Sequence, residues 1–212
     1  MLDRFRRFLF PPRCAFCRTL LADDERYLCT ACSQKNYAIS RPKAYSGAFY
    51  AAALSAFVYE GEVRQILHRL KFHGGVHLAE FFASRMADKL DSAGWEFDLI
   101  VPVPSHFYRR YKKGYDHARL LAQELSRFTG AECAPLLKKV RRTKPMYGLH
   151  KAQRRANIIG SVTCTKPVDA RHRRVLLVDD IITTGCTAAD CARVLRDYGA
   201  ETVYVITAAG VK

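Results

Sequence analysis

The chain reads as an α/β protein built on a parallel sheet, preceded by a small four-cysteine module. Three observations predict this. Two Cys-x-x-Cys pairs, Cys14/Cys17 and Cys29/Cys32, stand near the N-terminus. Strand-like and helix-like stretches alternate over most of the remaining chain, the pattern of a parallel sheet covered by helices. Near the C-terminus the wholly apolar run Val175-Leu176-Leu177-Val178 passes through a polar turn into an amphipathic segment. With 212 residues, 49% of them hydrophobic, the chain can bury one good core and carry a small appended module. The module is assigned to residues 1–42 and the main domain to 43–212, with Arg41-Pro42-Lys43 as the linker.

The opening residues, MLDRFRRFLFPP, interrupt their apolar character with Arg4, Arg6 and Arg7. No apolar run approaches the roughly 20 residues that span a bilayer, and a cleaved signal peptide is not expected. The segment reads as a strand or turn on the cysteine module, with a short membrane-surface helix as the alternative. Eleven residues separate the two cysteine pairs. That spacing lets two tight knuckles present four thiolates to one tetrahedral ion, and four protein ligands close the site, so structural zinc is expected on Cys14, Cys17, Cys29 and Cys32. His73 and His77 have i, i+4 ligand spacing but no accompanying carboxylate, and a second metal site is not expected. The other cysteines, Cys133, Cys164, Cys186 and Cys191, lie among apolar or small residues and read as small hydrophobes. Metal spacing rather than bridge spacing points to a reducing, cytoplasmic setting.

Beyond the linker, the alternating stretches are Ala53–Tyr59, Glu62–Phe72, Leu78–Leu90, Asp98–Val103, Asp116–Phe128, Val175–Asp179, Thr187–Tyr198 and Thr202–Ile206. A run as continuously apolar as Val175–Val178 fits a central parallel strand covered on both faces. Ala188, Cys191, Ala192, Leu195 and Tyr198 then recur at helical spacing, and Gly199 supplies the stop.

The candidate site follows from that strand. Parallel sheets bind ligands at the carboxyl ends of their strands, so Asp179 and Asp180 emerge where they can accept hydrogen bonds from sugar hydroxyls. In the next turn, Gly185 lets the chain fold tightly into the helix start. Thr183, Thr184 and Thr187 add hydroxyls around it, and the helix dipole favours an anion there. Neither a Walker A sequence nor G-x-G-x-x-G occurs. The plain alternative is that these Asp and Thr residues merely cap the last helix.

The segment Val175–Thr187 resembles the phosphoribosyl pyrophosphate motif of type I phosphoribosyltransferases. The resemblance implies that fold for the main domain. It further implies that Asp179 and Asp180 hold the ribose 2- and 3-hydroxyls, that Thr183, Thr184, Gly185, Cys186 and Thr187 wrap the 5-phosphate, and that Mg2+ arrives with the ligand.

Formal net charge is +15 with a pI of about 9.7, which favours polyanionic partners. Residues 105–155 hold fourteen Lys or Arg against three Asp or Glu, eleven of the fifteen net charges. Within them, Phe107–Tyr115 interleaves aromatic and basic residues, as single-stranded nucleic acid binders do, although any one tyrosine there can equally belong to the core. Lys138–Arg155 reads as a mobile flap.

Taken together, the paired Cys-x-x-Cys module, Val101-Pro102-Val103-Pro104 followed by Gly114-Tyr115, Gln153-Arg154-Arg155-x-Asn157 and the Asp-Asp turn resemble the ComF family along nearly the whole chain. The sequence departs from the family pattern at Lys113-Gly114-Tyr115-Asp116-His117, where Arg-Gly-Phe-Asn-Gln is usual, and at Met146 in place of a flap Gln. The resemblance implies a DNA-uptake factor in natural transformation, binding a sugar phosphate, with basic loops on single-stranded DNA. The alternative is an active transferase, in which Arg109 holds leaving pyrophosphate and Asp179 and Asp180 act on the ribose, Asp180 stabilising its developing charge. A third reading makes the cysteine module a dock for a DNA-uptake helicase or channel protein. His68, His106, His150 and His172 lack a paired carboxylate and read as structural.

Overall fold

The computed structural model describes residues 11–35, 37, 49–72, 74–105, 115–141 and 160–211. In chain order the elements are α1 (Thr30–Ser33), β1 (Ala52–Val58), α2 (Gly61–Phe72), α3 (Leu78–Ala93), β2 (Leu99–Pro102), α4 (His117–Thr129), β3 (Glu132–Cys133), β4 (Leu137–Lys139), β5 (Val162–Cys164), a 3-10 turn (Pro167–Ala170), β6 (Arg174–Ile182), α5 (Cys186–Asp197) and β7 (Thr202–Gly210). Five strands form one sheet in the order β1-β7-β6-β2-β3, with every pairing parallel. β4 and β5 form a separate antiparallel pair.

β6 lies at the centre because its sequence can be buried on both sides. Val175, Leu176, Leu177 and Val178 are all 0% exposed. Successive side chains of a strand point to opposite faces. Leu176 and Val178 therefore enter the apolar cluster beneath α2, α3 and α4, while Val175 and Leu177 enter the one shared with α5, β4 and β5. β6 nonetheless runs through Ile182, past the point where the two aspartates were expected to end it, held by pairing of Asp179 with Thr207 and Ile181 with Ala209 on β7. β7 likewise continues past Ile206 through Ala208, Ala209 and Gly210, small residues whose weak strand propensity hides the extension.

The α/β class and the N-terminal cysteine module are as the sequence predicts, while the expected boundary at residue 42 lies outside the described residues. The module is tied to the main core. Ala15 is buried in the cluster beneath α3, and Phe16 and Tyr27 both meet Phe81 edge-on, at 5.8 and 6.1 Å. The Tyr27 hydroxyl donates to Glu80 Oε1 at 2.9 Å, and the Arg69 guanidinium donates to the Ala15 carbonyl. Phe81 is the shared anchor, since it also packs on Phe57 and Phe82. Phe81→Ala should destabilise the chain by about 3–5 kcal/mol, visible in calorimetry as a fall in Tm of about 10 °C. A fall of only a degree or two would show that the module and sheet do not share this anchor.

Candidate functional site

The four cysteines converge. Their Sγ atoms all lie within 4.8 Å of one another, and Cys17 and Cys29 are 3.5 Å apart. A Zn–S bond of about 2.3 Å in tetrahedral geometry separates sulfurs by roughly 3.8 Å, so the cluster fits one zinc ion. Short backbone bonds shape each knuckle: Arg18 N–H donates to the Cys14 carbonyl at 3.0 Å, and Cys32 N–H to the Cys29 carbonyl at 2.9 Å. No other group of three or more His, Cys, Asp or Glu with ligand geometry is found among the described residues. His77 is held below its ordinary pKa by burial and then by the Arg69 and Arg18 charges, and His73 lies outside the described residues. Wild-type protein should carry one zinc per chain, and a strong chelator should lower its Tm. Cys17→Ser, at an exposed position, should lose the metal and melt earlier without chelator. Full zinc retention in that variant would contradict the assignment.

The turn after β6 forms a small pocket lined by Asp179, Thr183, Thr184, Gly185, Cys186 and Thr187, with Thr207 from β7 behind them. Gly185 is the residue immediately before α5 and has φ 72°, the left-handed region that glycine enters without strain. It is confined as well, since a Cβ there would come within 2.8 Å of the Tyr50 hydroxyl. α5 starts with no side-chain cap. Its first regular bond is Ala189 N–H to the Gly185 carbonyl at 2.8 Å, so the preceding amides keep their donors directed out of the helix. The threonines therefore do not serve as caps, and Thr184 instead donates to Cys186 Sγ at 3.2 Å.

The two carboxylates part company. Because β6 continues through them, Asp179 lines the pocket beside α5, whereas Asp180 turns to the opposite face and meets Lys71 Nζ at 2.9 Å. Lys71 ends α2. Sequence reading did not single it out, although Leu70-Lys71-Phe72 followed by Gly74-Gly75 places a cation just before a tight turn. Burial, then the adjacent Asp180 charge, push the Asp179 carboxyl well above the usual carboxylate range, while the Asp180 N–H at 2.8 Å and Lys71 oppose this. A pKa raised in the folded state means that stability is greatest at low pH and is lost as pH rises through the raised value. Asp179→Asn keeps the oxygen that accepts the Asp180 N–H but cannot ionise. Its Tm should exceed that of wild type by a few degrees at pH 8, at about 2–4 °C per kcal/mol, and the gap should narrow toward pH 5. A gap independent of pH would contradict the burial.

The remaining expected residues divide. Asp116 precedes α4 as its cap, accepting from Arg119 N–H, and also accepts from the Ser105 hydroxyl, so the two ends of the 106–114 segment are joined at its base. Asp116 also contributes to the raised pKa of Asp179, and Tyr115 donates to the Leu70 carbonyl at 2.6 Å, next to Lys71. The base of the basic segment thus adjoins the acidic pair. Arg109, His106 and the rest of the aromatic-basic loop before Tyr115 lie outside the described residues, as do His150, Met146 and most of the expected flap. β4 and β5 lie on either side of residues 142–159 in sequence and pair antiparallel. His172 is exposed in the turn before β6, and His68 is exposed on α2, both away from the pocket lining.

The double zinc ribbon domain family matches residues 5–43. The chain is 36% identical over 110 residues to competence protein F of Haemophilus influenzae, covering 51% of this chain and 48% of that protein. It is 30% identical over 153 residues to the DNA utilization protein YhgH of Salmonella typhimurium, covering 69% and 66%. With competence protein ComFC of Bacillus subtilis it shares 24% over 195 residues, covering 88% and 78%. The match thus spans about half the length of the first relative and just under two thirds of the second. Similar solved structures include the glutamine phosphoribosylpyrophosphate amidotransferase of B. subtilis, at 20% identity and TM-score 0.45 over 66% of this chain and 30% of that one. Another is the adenine phosphoribosyltransferase of Saccharomyces cerevisiae, at 18% and 0.38 over 58% and 68%.

Proposed function

Given that the chain belongs to the ComF family and carries a phosphoribosyltransferase-like α/β fold behind a zinc ribbon, we propose that it serves the uptake or use of incoming DNA. In that role its pocket binds phosphoribosyl pyrophosphate or a related sugar phosphate with Mg2+. The observation that carries the pocket reading is the start of α5, where uncapped amides, the Gly185 turn and the hydroxyls of Thr183, Thr184 and Thr187 surround one small concavity. An anion suits such a place by both hydrogen bonding and dipole. Asp179 at the pocket wall accepts from ribose hydroxyls. Asp180 and Lys71 on the other side of β6 offer a carboxylate to Mg2+ and an ammonium to the pyrophosphate end, once their ion pair opens.

The DNA side of the proposal is supported by the charge excess in residues 105–155 and by the similarity to a competence protein and a DNA utilization protein. No disulfide joins the eight cysteines, and no helix among the described residues is long and apolar enough to cross a membrane.

Calorimetric titration of Mg2+-phosphoribosyl pyrophosphate into zinc-loaded protein tests the pocket. Wild type should bind saturably, and Asp180→Asn should bind about tenfold or more weakly, the scale of one lost charge-assisted hydrogen bond. No heat of binding in wild type would remove the sugar phosphate from the account and leave DNA contact to be tested by itself.

A further inference from the structure

A second positively charged surface lies away from the sugar-phosphate pocket, between the first zinc knuckle and α2. There Phe16, Arg18, Arg64, Gln65, His68 and Arg69 line an open groove of about 750 Å³. We propose that a single strand of nucleic acid lies in this groove, its phosphates held by Arg18, Arg64 and Arg69. The proposal rests on the reading that the chain handles DNA, and it adds a binding surface distinct from the basic segment at residues 105–155.

Charge argues first. Glu62 is the carboxylate in the groove lining, and it is paired with Lys35 at 3.3 Å. Arg26, by contrast, is paired with Glu80, and Arg174 with Glu96 and Asp98. Among the described residues, no ion pair engages Arg18 or Arg64, both of which are exposed. Arg69 is half-buried, donating to the Ala15 carbonyl at the module interface while still lining the groove. Arg13 adds a further guanidinium on the knuckle, where it donates to the Arg18 carbonyl at 3.1 Å. Arginines from two separate elements thus face one channel with a single, already neutralised, acid. Guanidinium groups suit phosphate because their donors match its oxygens in pairs.

Shape and stacking argue next. Gly61, Arg64, Gln65 and His68 recur along one exposed face of α2, and His68 packs against the exposed Phe72 one turn on, their rings 4.6 Å apart and tilted by 40°. An exposed aromatic pair beside a line of arginines is the combination that grips single strands without reading their sequence. The backbone adds a third observation. Arg18 adopts φ 67°, a left-handed conformation that is sterically unfavourable for a residue with a Cβ and that glycine would occupy freely. The knuckle turn alone gives no reason for an arginine there.

The test uses full-length, zinc-loaded protein and a fluorescein-labelled single-stranded oligonucleotide, with anisotropy measured from 50 to 300 mM salt (concentrations of about this range resolve the counterion slope). Arg18→Gly with Arg64→Gln removes two cations at exposed positions. It also relieves the backbone at residue 18, so zinc content and Tm should be unchanged or improved. The expected result is weaker binding and a log-log salt slope shallower by about 1.4, two contacts at about 0.7 each for a single strand. Unchanged affinity and slope in this variant, with binding lost instead in Arg109→Glu/Arg110→Glu, would overturn the groove and keep the DNA reading. Absence of oligonucleotide binding by wild type would overturn both, and weakened binding of an acidic protein but not of the oligonucleotide would overturn the groove as a nucleic-acid surface.

Discussion

The pocket depends on β6 being paired on both sides over Val175–Val178 and on one side onward to Ile182. Val175–Val178 bury completely only because β2 and β7 satisfy the strand's backbone groups while helices cover both faces. Pairing with β7 continues as far as Ile182, and this carries two aspartates beyond the apolar run while still in extended geometry. The alternation of a strand then sends Asp179 and Asp180 to opposite sides. One chain segment so addresses two spaces, the Thr-rich turn before α5 and the end of α2.

Placing two adjacent carboxylates at the edge of a core is electrostatically unfavourable unless something compensates. Lys71 compensates one of them directly, and the Asp180 N–H partly compensates the other. What is left is a raised Asp179 pKa and a set of unfilled donors at the start of α5. Both are features of a site prepared for a ligand that brings its own cation and its own anion. The contacts at the base of the 106–114 segment, Ser105 with Asp116 and Tyr115 with Leu70, set the basic middle of the chain next to this arrangement.

Much of this was legible in the sequence, for physical reasons. The four cysteines announce themselves by spacing, because a tetrahedral ion needs two short knuckles. β6 and α5 are legible because burial on both faces requires an unbroken apolar run, and burial on one face requires helical periodicity. What escaped was what depends on long-range packing. β3 and β4 span two and three residues, too short to show alternation. Lys71 lies more than 100 residues from its partner Asp180, and nothing local to Leu70-Lys71-Phe72 reveals the pairing. The groove between Arg18 and Arg64 likewise exists only once Phe16 and Tyr27 dock on Phe81. The strand was expected to end at the two aspartates, whereas the β7 pairing carries β6 onward to Ile182.

The central claim is that the backbone amides opening α5 receive the phosphate of a sugar-phosphate ligand. Amide chemical shifts of the isotope-labelled protein, recorded with and without Mg2+-phosphoribosyl pyrophosphate, test it most directly. The account predicts the largest shifts at Thr184, Gly185, Cys186 and Thr187, with little change at the zinc knuckles. Saturable binding that leaves those four amides unmoved would contradict it.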